Sequence, residues 1–181
     1  SITREFTATD DCGNSSSATQ TITIVDTTAP VFTYVPAEVV AECSEAQSFE
    51  SATAIDNCGD VTIAVVETTT PGDCTGNYTI TRVFTATDDC GNSSEAAQLV
   101  TFIDTTPPVL TVPASYTAEC SDEHPMDLAT ATDACGSSSV TVTEWTAQGN
   151  AIGNYVITRA FTATDDCGNF TTGAQTITIV D

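Results

Sequence analysis

Phe84-Thr85-Ala86-Thr87-Asp88-Asp89-Cys90-Gly91-Asn92 stands three times in this chain, starting at Phe6, Phe84 and Phe161. The starts are 78 and 77 residues apart. Three further markers keep that step. Ile-Thr-Arg recurs, ending at Arg4, Arg82 and Arg159. Val25-Asp26-Thr27-Thr28-Ala29-Pro30 returns as Ile103-Asp104-Thr105-Thr106-Pro107-Pro108, with Val180-Asp181 in the same register. Ala41-Glu42-Cys43 returns as Ala118-Glu119-Cys120. Agreement over so many positions defines an internal repeat. The chain therefore divides into residues 1–26, the final strands of one repeat, and two full repeats, 27–104 and 105–181. A step of this length exceeds an ordinary solenoid unit and suits a small β domain with its own core.

The nonapeptide also gives the secondary structure. Tyr78, Ile80, Arg82, Phe84 and Ala86 fall on one face of an extended strand and Thr79, Thr81, Thr85 and Thr87 on the other. Asp88 to Asn92 then reads as a turn, with Gly and Asn able to take positive φ. A second strand follows through Leu99 to Ile103. Pro30 to Cys43, Ser51 to Asp56 and Val61 to Val66 supply more short strands between Gly, Pro and Asn punctuation. No stretch carries a helical period. The prediction is an all-β fold, tandem immunoglobulin-like β-sandwich repeats of 77–78 residues with about seven strands each.

One residue type breaks the alternation, because Arg82 and Arg159 sit on the apolar face. Either a bulge turns the guanidinium outward, or it is buried with a carboxylate partner. The glutamates repeating in step with the arginines assign Glu42 to Arg82 and Glu119 to Arg159.

Eight cysteines in 181 residues point to an oxidising compartment. None forms a CxxC pair and His124 is the sole histidine, which disfavours zinc. The first full repeat carries Cys43, Cys58, Cys74 and Cys90; the second carries Cys120, Cys135 and Cys167 and lacks a counterpart of Cys74. The turns holding Cys58 and Cys90 belong at one end of a sandwich, and Cys43 and Cys74 near the other. That placement favours Cys58–Cys90, Cys135–Cys167 and Cys43–Cys74, leaving Cys12 and Cys120 unpaired. Pairing of sequence neighbours, Cys43–Cys58 and Cys74–Cys90, stays open.

The same end gathers carboxylates: Asp26, Asp56, Asp88 and Asn92 around the first full repeat, and Asp104, Asp133, Asp165 and Asn169 around the second. Oxygen donors of this kind at a domain junction suit a hard cation, Ca²⁺ above all. The alternative is that these residues only build turns.

Composition excludes whole classes of function. Twenty-five acidic residues against three basic ones, a formal net charge of -22, repel nucleic acid and anionic membranes. No apolar run is long enough to span a bilayer. With one histidine, no nucleophile motif and carboxylates that recur in every repeat, no active site can be composed, and the chain reads as non-enzymatic. Strand patterning with 40% apolar residues argues against disorder. The mid-strand opening at Ser1 and the cysteine content together lead to the expectation of an internal piece of a longer exported protein.

Thr-Ala-Thr-Asp-Asp-Cys-Gly-Asn, the Ile-Thr-Arg strand before it and the Val-Asp-Thr-Thr-Ala-Pro linker resemble the HYR-like repeats of Bacteroidota surface proteins. They are most similar to repeats of giant gliding-motility adhesins of flavobacteria. The resemblance covers the whole chain, and the missing fourth cysteine of the second repeat departs from it. It implies export by type IX secretion, an outer-membrane-attached position at the cell surface, and work as an adhesin filament. What the filament touches would be surface polysaccharide or an abiotic surface, with neighbouring repeats as partners within the chain. It also implies O-glycosylation at Asp-Thr sites, here Thr27 and Thr105. Two other readings stay on the table. A multivalent carbohydrate-binding repeat would show an aromatic recurring at one position, which Trp145 does not. A passive stalk of a secreted enzyme would show its catalytic part elsewhere in a longer chain.

Overall fold

Alternating Thr-rich and apolar positions should give strands and nothing else. The computed structural model, which describes residues 1–181, contains fourteen β-strands and no helix. They are β1 (Ile2–Thr9), β2 (Ser15–Ile22), β3 (Val31–Tyr34), β4 (Val39–Glu42), β5 (Thr53–Ile55), β6 (Val61–Pro71), β7 (Tyr78–Asp88) and β8 (Ser93–Ile103). The same series continues as β9 (Val109–Thr111), β10 (Tyr116–Glu119), β11 (Thr130–Thr132), β12 (Ser138–Gln148), β13 (Tyr155–Asp165) and β14 (Phe170–Val180). Each full repeat thus has six strands, one fewer than expected. The predicted Pro30–Cys43 strand is split at Pro36, which has no N–H to give a ladder.

Both full repeats have the same topology. Residues 105–181 form a four-stranded sheet in the order β10-β14-β13-β12 and a two-stranded sheet of β11 and β9. Residues 27–104 form β4-β8-β7-β6 and the pair β3-β5. β10 runs parallel to β14 and β4 parallel to β8, while the long hairpin neighbours are antiparallel. This is the immunoglobulin-like sandwich, two sheets enclosing a thin core. The two sheets of the second repeat meet at Gly173, where a Cβ would come within 2.5 Å of the Val112 side chain. Residues 1–22 form an isolated hairpin, β1 paired with β2 from Ile2↔Ile22 to Thr9↔Ser15.

Two compact units emerge: residues 1–35, 51–65 and 84–96 in one, and residues 36–50, 66–83 and 97–181 in the other. They cut across the sequence repeat. The first holds the β1–β2 hairpin, the β3–β5 pair and the Asp88–Asn92 turn. The second holds all of residues 105–181 and the half of the preceding repeat that ends in Asp104.

In the second unit, Ala41, Val100 and Phe102 are buried with Val39, Tyr78 and Ile80 packed against them. Tyr78 stacks on Phe102 with ring centroids 4.6 Å apart. The equivalent cluster one repeat on is Ile157, Ile177 and Ile179, with Tyr116, Ala118 and Tyr155. Each fully buried Ile or Phe contributes roughly 1.5–3 kcal/mol, so a core this thin needs other support.

The arginines are inside. Arg82 is 5% and Arg159 2% exposed, which rules out the outward bulge. Each has a carboxylate partner, but not the expected one. Arg82 Nε donates to Glu67 at 2.8 Å and Arg159 Nε to Glu144 at 2.7 Å. Register explains the correction. Glu144 lies directly across from Arg159 on the neighbouring strand, the shortest side-chain separation a sheet offers. Glu119 pairs with Val180, whereas Arg159 pairs with Gln175. Five residues of strand, about 17 Å, separate those rungs. Glu42, paired with Ile103, is equally displaced from Gln98, which accepts from Arg82 at 2.8 Å. Backbone carbonyls complete the shell, Glu50 for Arg82 and Pro125 with His124 for Arg159. Glu67 and Glu144 also stand one repeat apart, so a cross-strand criterion added to repeat spacing would have found them.

Candidate functional site

One set of the marked residues meets at the boundary at Asp104, which lies wholly within the second unit. Its linker is held on both sides. The Asp104 N–H donates to Asn77 Oδ1 at 2.8 Å, and the Asn169 side-chain amide donates to the Asp104 carbonyl at 3.1 Å. The Thr106 N–H donates to Asp104 Oδ1 at 3.1 Å. Thr105 donates to Glu42 through both its N–H and its hydroxyl. Asp166 accepts from the Thr75 hydroxyl at 3.1 Å and from the N–H and hydroxyl of Ser137. At Gly76 a Cβ would lie 2.6 Å from Asp104 Cβ and 3.1 Å from Cys135 Cβ, so only glycine permits this approach.

Cysteines lock the boundary covalently. Cys43 is bonded to Cys135 and Cys74 to Cys167, with Cα–Cα distances of 5.8 and 5.1 Å. Both bridges join residues 27–104 to residues 105–181. The expected Cys58–Cys90, Cys135–Cys167 and Cys43–Cys74 bridges do not form, nor does Cys43–Cys58 or Cys74–Cys90. The reason is the linker: holding Asp104 between Asn77 and Asn169 brings the Cys43 and Cys74 end of one repeat against the Cys135 and Cys167 turns of the next. Partners outside the repeat are then nearer than those within it. Each bridge closes more than 90 residues, which on the chain-entropy model stabilises by about 4–5 kcal/mol. Cys12, Cys58, Cys90 and Cys120 are free and exposed.

Three carboxylates group at this boundary, and two others in the first unit. One oxygen each of Asp104, Asp133 and Asp165 lies within 4.8 Å of the others. In the first unit Asp26 and Asp56 lie that close to one another and to the Cys58 thiol. Asp88 stands outside that group. Turn building accounts for part of the acidic set. Asp88 Oδ1 accepts the Cys90 and Asn92 N–H groups at 2.8 and 2.9 Å, and Asp165 Oδ1 does the same for Cys167 and Asn169. The amides of Asn92 and Asn169 are occupied in tying the turn to the linker carbonyls of Asp26 and Asp104. Positive φ falls on Gly91 and Gly168, at 90° and 89°, and on no asparagine.

Electrostatics distinguishes the remaining oxygens. Burial raises the Asp104 pKa, and the charges of Asp133, Asp165 and Glu42 push it further up against the Thr106 hydrogen bond. Asp56 Oδ2 is buried without a hydrogen-bond partner. Clustered carboxylate oxygens, among them the unpaired Asp56 Oδ2, fit a hard divalent cation. Desolvation, followed by Asp26, Asp56, Cys90 and Asp88, raises the Cys58 thiol pKa. Thr27 is exposed, whereas the Thr105 hydroxyl is engaged by Glu42.

No protein-family model matches the chain. It is similar to hyalin of Lytechinus variegatus, 31% identical over 196 aligned positions that cover 97% of this chain and 36% of that protein. It is also similar to hyalin of Strongylocentrotus purpuratus, 38% identical over 122 positions covering 61% of this chain and 10% of that protein. The chain thus spans about a third of the first relative and a tenth of the second. Distant structural likenesses include Drosophila N-cadherin EC1-4, with a TM-score of 0.40 and 11% identity over 85% of this chain and 50% of that one. The protocadherin gammaB4 extracellular domain gives 0.40 and 18%, over 99% of this chain and 39% of that one.

Proposed function

We propose that this chain is a non-catalytic, adhesion-related repeat segment of an extracellular protein, in which covalently joined sandwiches hold an adhesive region away from a cell surface. The observation that carries it is the pair of disulfides across Asp104. Bridges between repeats, and none within them, serve an array under load, in an oxidising medium. The likeness to hyalin over nearly the whole chain supports the extracellular repeat reading. The working units are residues 27–104 and 105–181, with residues 1–26 as the closing strands of another copy. In finer detail, the array is an adhesin filament of a gliding cell, exported by type IX secretion and attached at the outer membrane. Surface polysaccharide or an abiotic surface is what it meets. Antibodies against this chain, applied to intact source cells, test it. Surface labelling with loss of attachment and gliding is expected; labelling only after lysis overturns the proposal.

Ca²⁺ belongs to the same proposal as a stiffener of the boundary, held by Asp104, Asp133 and Asp165, with Asp26 and Asp56 as the equivalent set. Calorimetry with Ca²⁺ against a chelator tests it, and absence of both heat and a melting shift removes the ion. O-glycosylation is assigned to Thr27 ahead of Thr105, whose hydroxyl is already bonded. An unmodified peptide mass for both refutes it.

A further inference from the structure

Four thiols are left over by the bridges across Asp104, and each stands at a repeat position whose counterpart is either bonded or of bonding type. Cys58 and Cys90 lie 77 residues before Cys135 and Cys167, and Cys120 lies 77 after Cys43. Cys12 lies 78 before Cys90. The counterpart of Cys74 in the second full repeat is Ala151.

The match extends beyond numbering. Cys58 and Cys90 are presented on Asp turns with the geometry of their bonded counterparts. The Cys58 N–H reaches Asp56 Oδ1 at 2.8 Å, as the Cys135 N–H reaches Asp133. The Cys90 N–H reaches Asp88 Oδ1 at 2.8 Å, as the Cys167 N–H reaches Asp165. Around Cys120 the other half of a boundary is already built. Its N–H donates to the Val180 carbonyl at 3.0 Å, as that of Cys43 donates to Ile103 at 2.9 Å. The Asp181 N–H donates to Asn154 Oδ1 at 2.9 Å, as that of Asp104 donates to Asn77. Gly153 stands against Asp181 as Gly76 stands against Asp104.

We propose that Cys58, Cys90 and Cys120 are docking cysteines for further copies of this same repeat. On this assignment the bridges across Asp104 are two steps of a disulfide ladder. Cys58 takes a partner in the position of Cys43, Cys90 one in the position of Cys74, and Cys120 one in the position of Cys135. Because Ala151 replaces the fourth cysteine, the boundary after Asp181 carries a single bridge where the boundary at Asp104 carries two. The ladder is thereby given a weaker step at a defined place. Each bridge forms from two thiols and one small-molecule disulfide such as glutathione disulfide. The two thiols form the S–S bond and give up two protons and two electrons, and the oxidant is cleaved to two glutathione thiols. The proposal holds whatever the array adheres to.

The test is the full chain followed directly by a second copy of residues 27–181, refolded with glutathione disulfide. It is then alkylated, digested without reduction and mapped by mass. The Cys43–Cys135 and Cys74–Cys167 peptides report correct folding. Cys120 joined to Cys58 of the second copy, with Cys90 of that copy alkylated, is expected. Ala151→Cys in the first copy should then join the new thiol to that Cys90. A Cys58–Cys90 bridge inside the second copy, or an alkylated Cys120 beside intact native bridges, overturns the proposal. A shorter tandem, the full chain followed by residues 105–181, repeats the test with Cys135 and Cys167 of the second copy as the partners. It fails by the same criteria.

Discussion

Cys58 and Cys135 occupy the same turn in successive repeats, yet one is free and the other is bonded. Both follow an Asp whose Oδ1 takes their N–H at 2.8 Å. Beside each, an Asn amide ties the second turn to the linker carbonyl, at 3.3 Å from Asn92 to Asp26 and 3.1 Å from Asn169 to Asp104. The turn hydrogen bonds are therefore the same with and without the bridge. What differs is whether a Cys43-like position stands opposite. The comparison teaches that the turns are built by their own Asp and Asn residues, and that the disulfide joins prebuilt ends rather than shaping them.

That separation predicts a large asymmetry between the two sets of cysteines. Cys135→Ser or Cys167→Ser should each lower stability by about 4–5 kcal/mol, the closure entropy of a loop of more than 90 residues. Cys58→Ser and Cys90→Ser should fall within about 0.5 kcal/mol of the parent, as for exposed positions without such features. Urea unfolding of the four variants checks this. Equal losses in both sets would mean that the bridges lie within repeats after all.

The arginines extend the comparison to the core. Arg159 is buried against Glu144, whose side chain is 38% exposed. Arg159→Ala should cost about 3 kcal/mol. That is the low end for breaking a buried pair, because the abandoned glutamate can still reach water.

Much of this was legible from the nonapeptide alone. A period of two, an Asp turn and a fixed step yield strands, hairpins and a sandwich, because those depend on local alternation. Pairing of the cysteines was not legible. The partners of Cys43 and Cys74 depend on how one repeat abuts the next. That is decided by Asn77, Gly76 and Asn169 around Asp104; all three recur at the repeat step, as Asn154, Gly153 and Asn92, but recurrence alone does not say what they hold. The arginine partners failed for a related reason. Repeat spacing selects several glutamates, and only strand register separates Glu144 from Glu119.

A smaller difference should divide the two carboxylate groups. If Ca²⁺ binds at Asp104, Asp133 and Asp165, a hundredfold excess over its dissociation constant adds about 2.7 kcal/mol of stability. Asp133→Asn should abolish most of that gain. Asp56→Asn should spare it, since Asp56 belongs to the other group, the one that includes the Cys58 thiol. Thermal unfolding with Ca²⁺ and with a chelator reads both. Identical behaviour of the two variants would show that neither group discriminates.

The smallest effect expected concerns Glu42, which holds the linker through Thr105 and Thr106. Hydrogen bonds from the Thr105 hydroxyl and N–H, with a further one from Thr106, hold the Glu42 pKa below its ordinary value of 4.5. A carboxylate lowered on folding stabilises the folded state fully above its unfolded pKa, and that stabilisation fades as pH falls through the folded pKa. At neutral pH the parent should therefore be more stable than Glu42→Gln. The gap should begin to close near the ordinary glutamate value and vanish at lower pH, where Glu42 is protonated and resembles the amide. Melting temperatures of the parent and of Glu42→Gln from pH 7 down to pH 2 decide it. A gap that persists into strong acid would mean that Glu42 supports the linker by shape and not by charge.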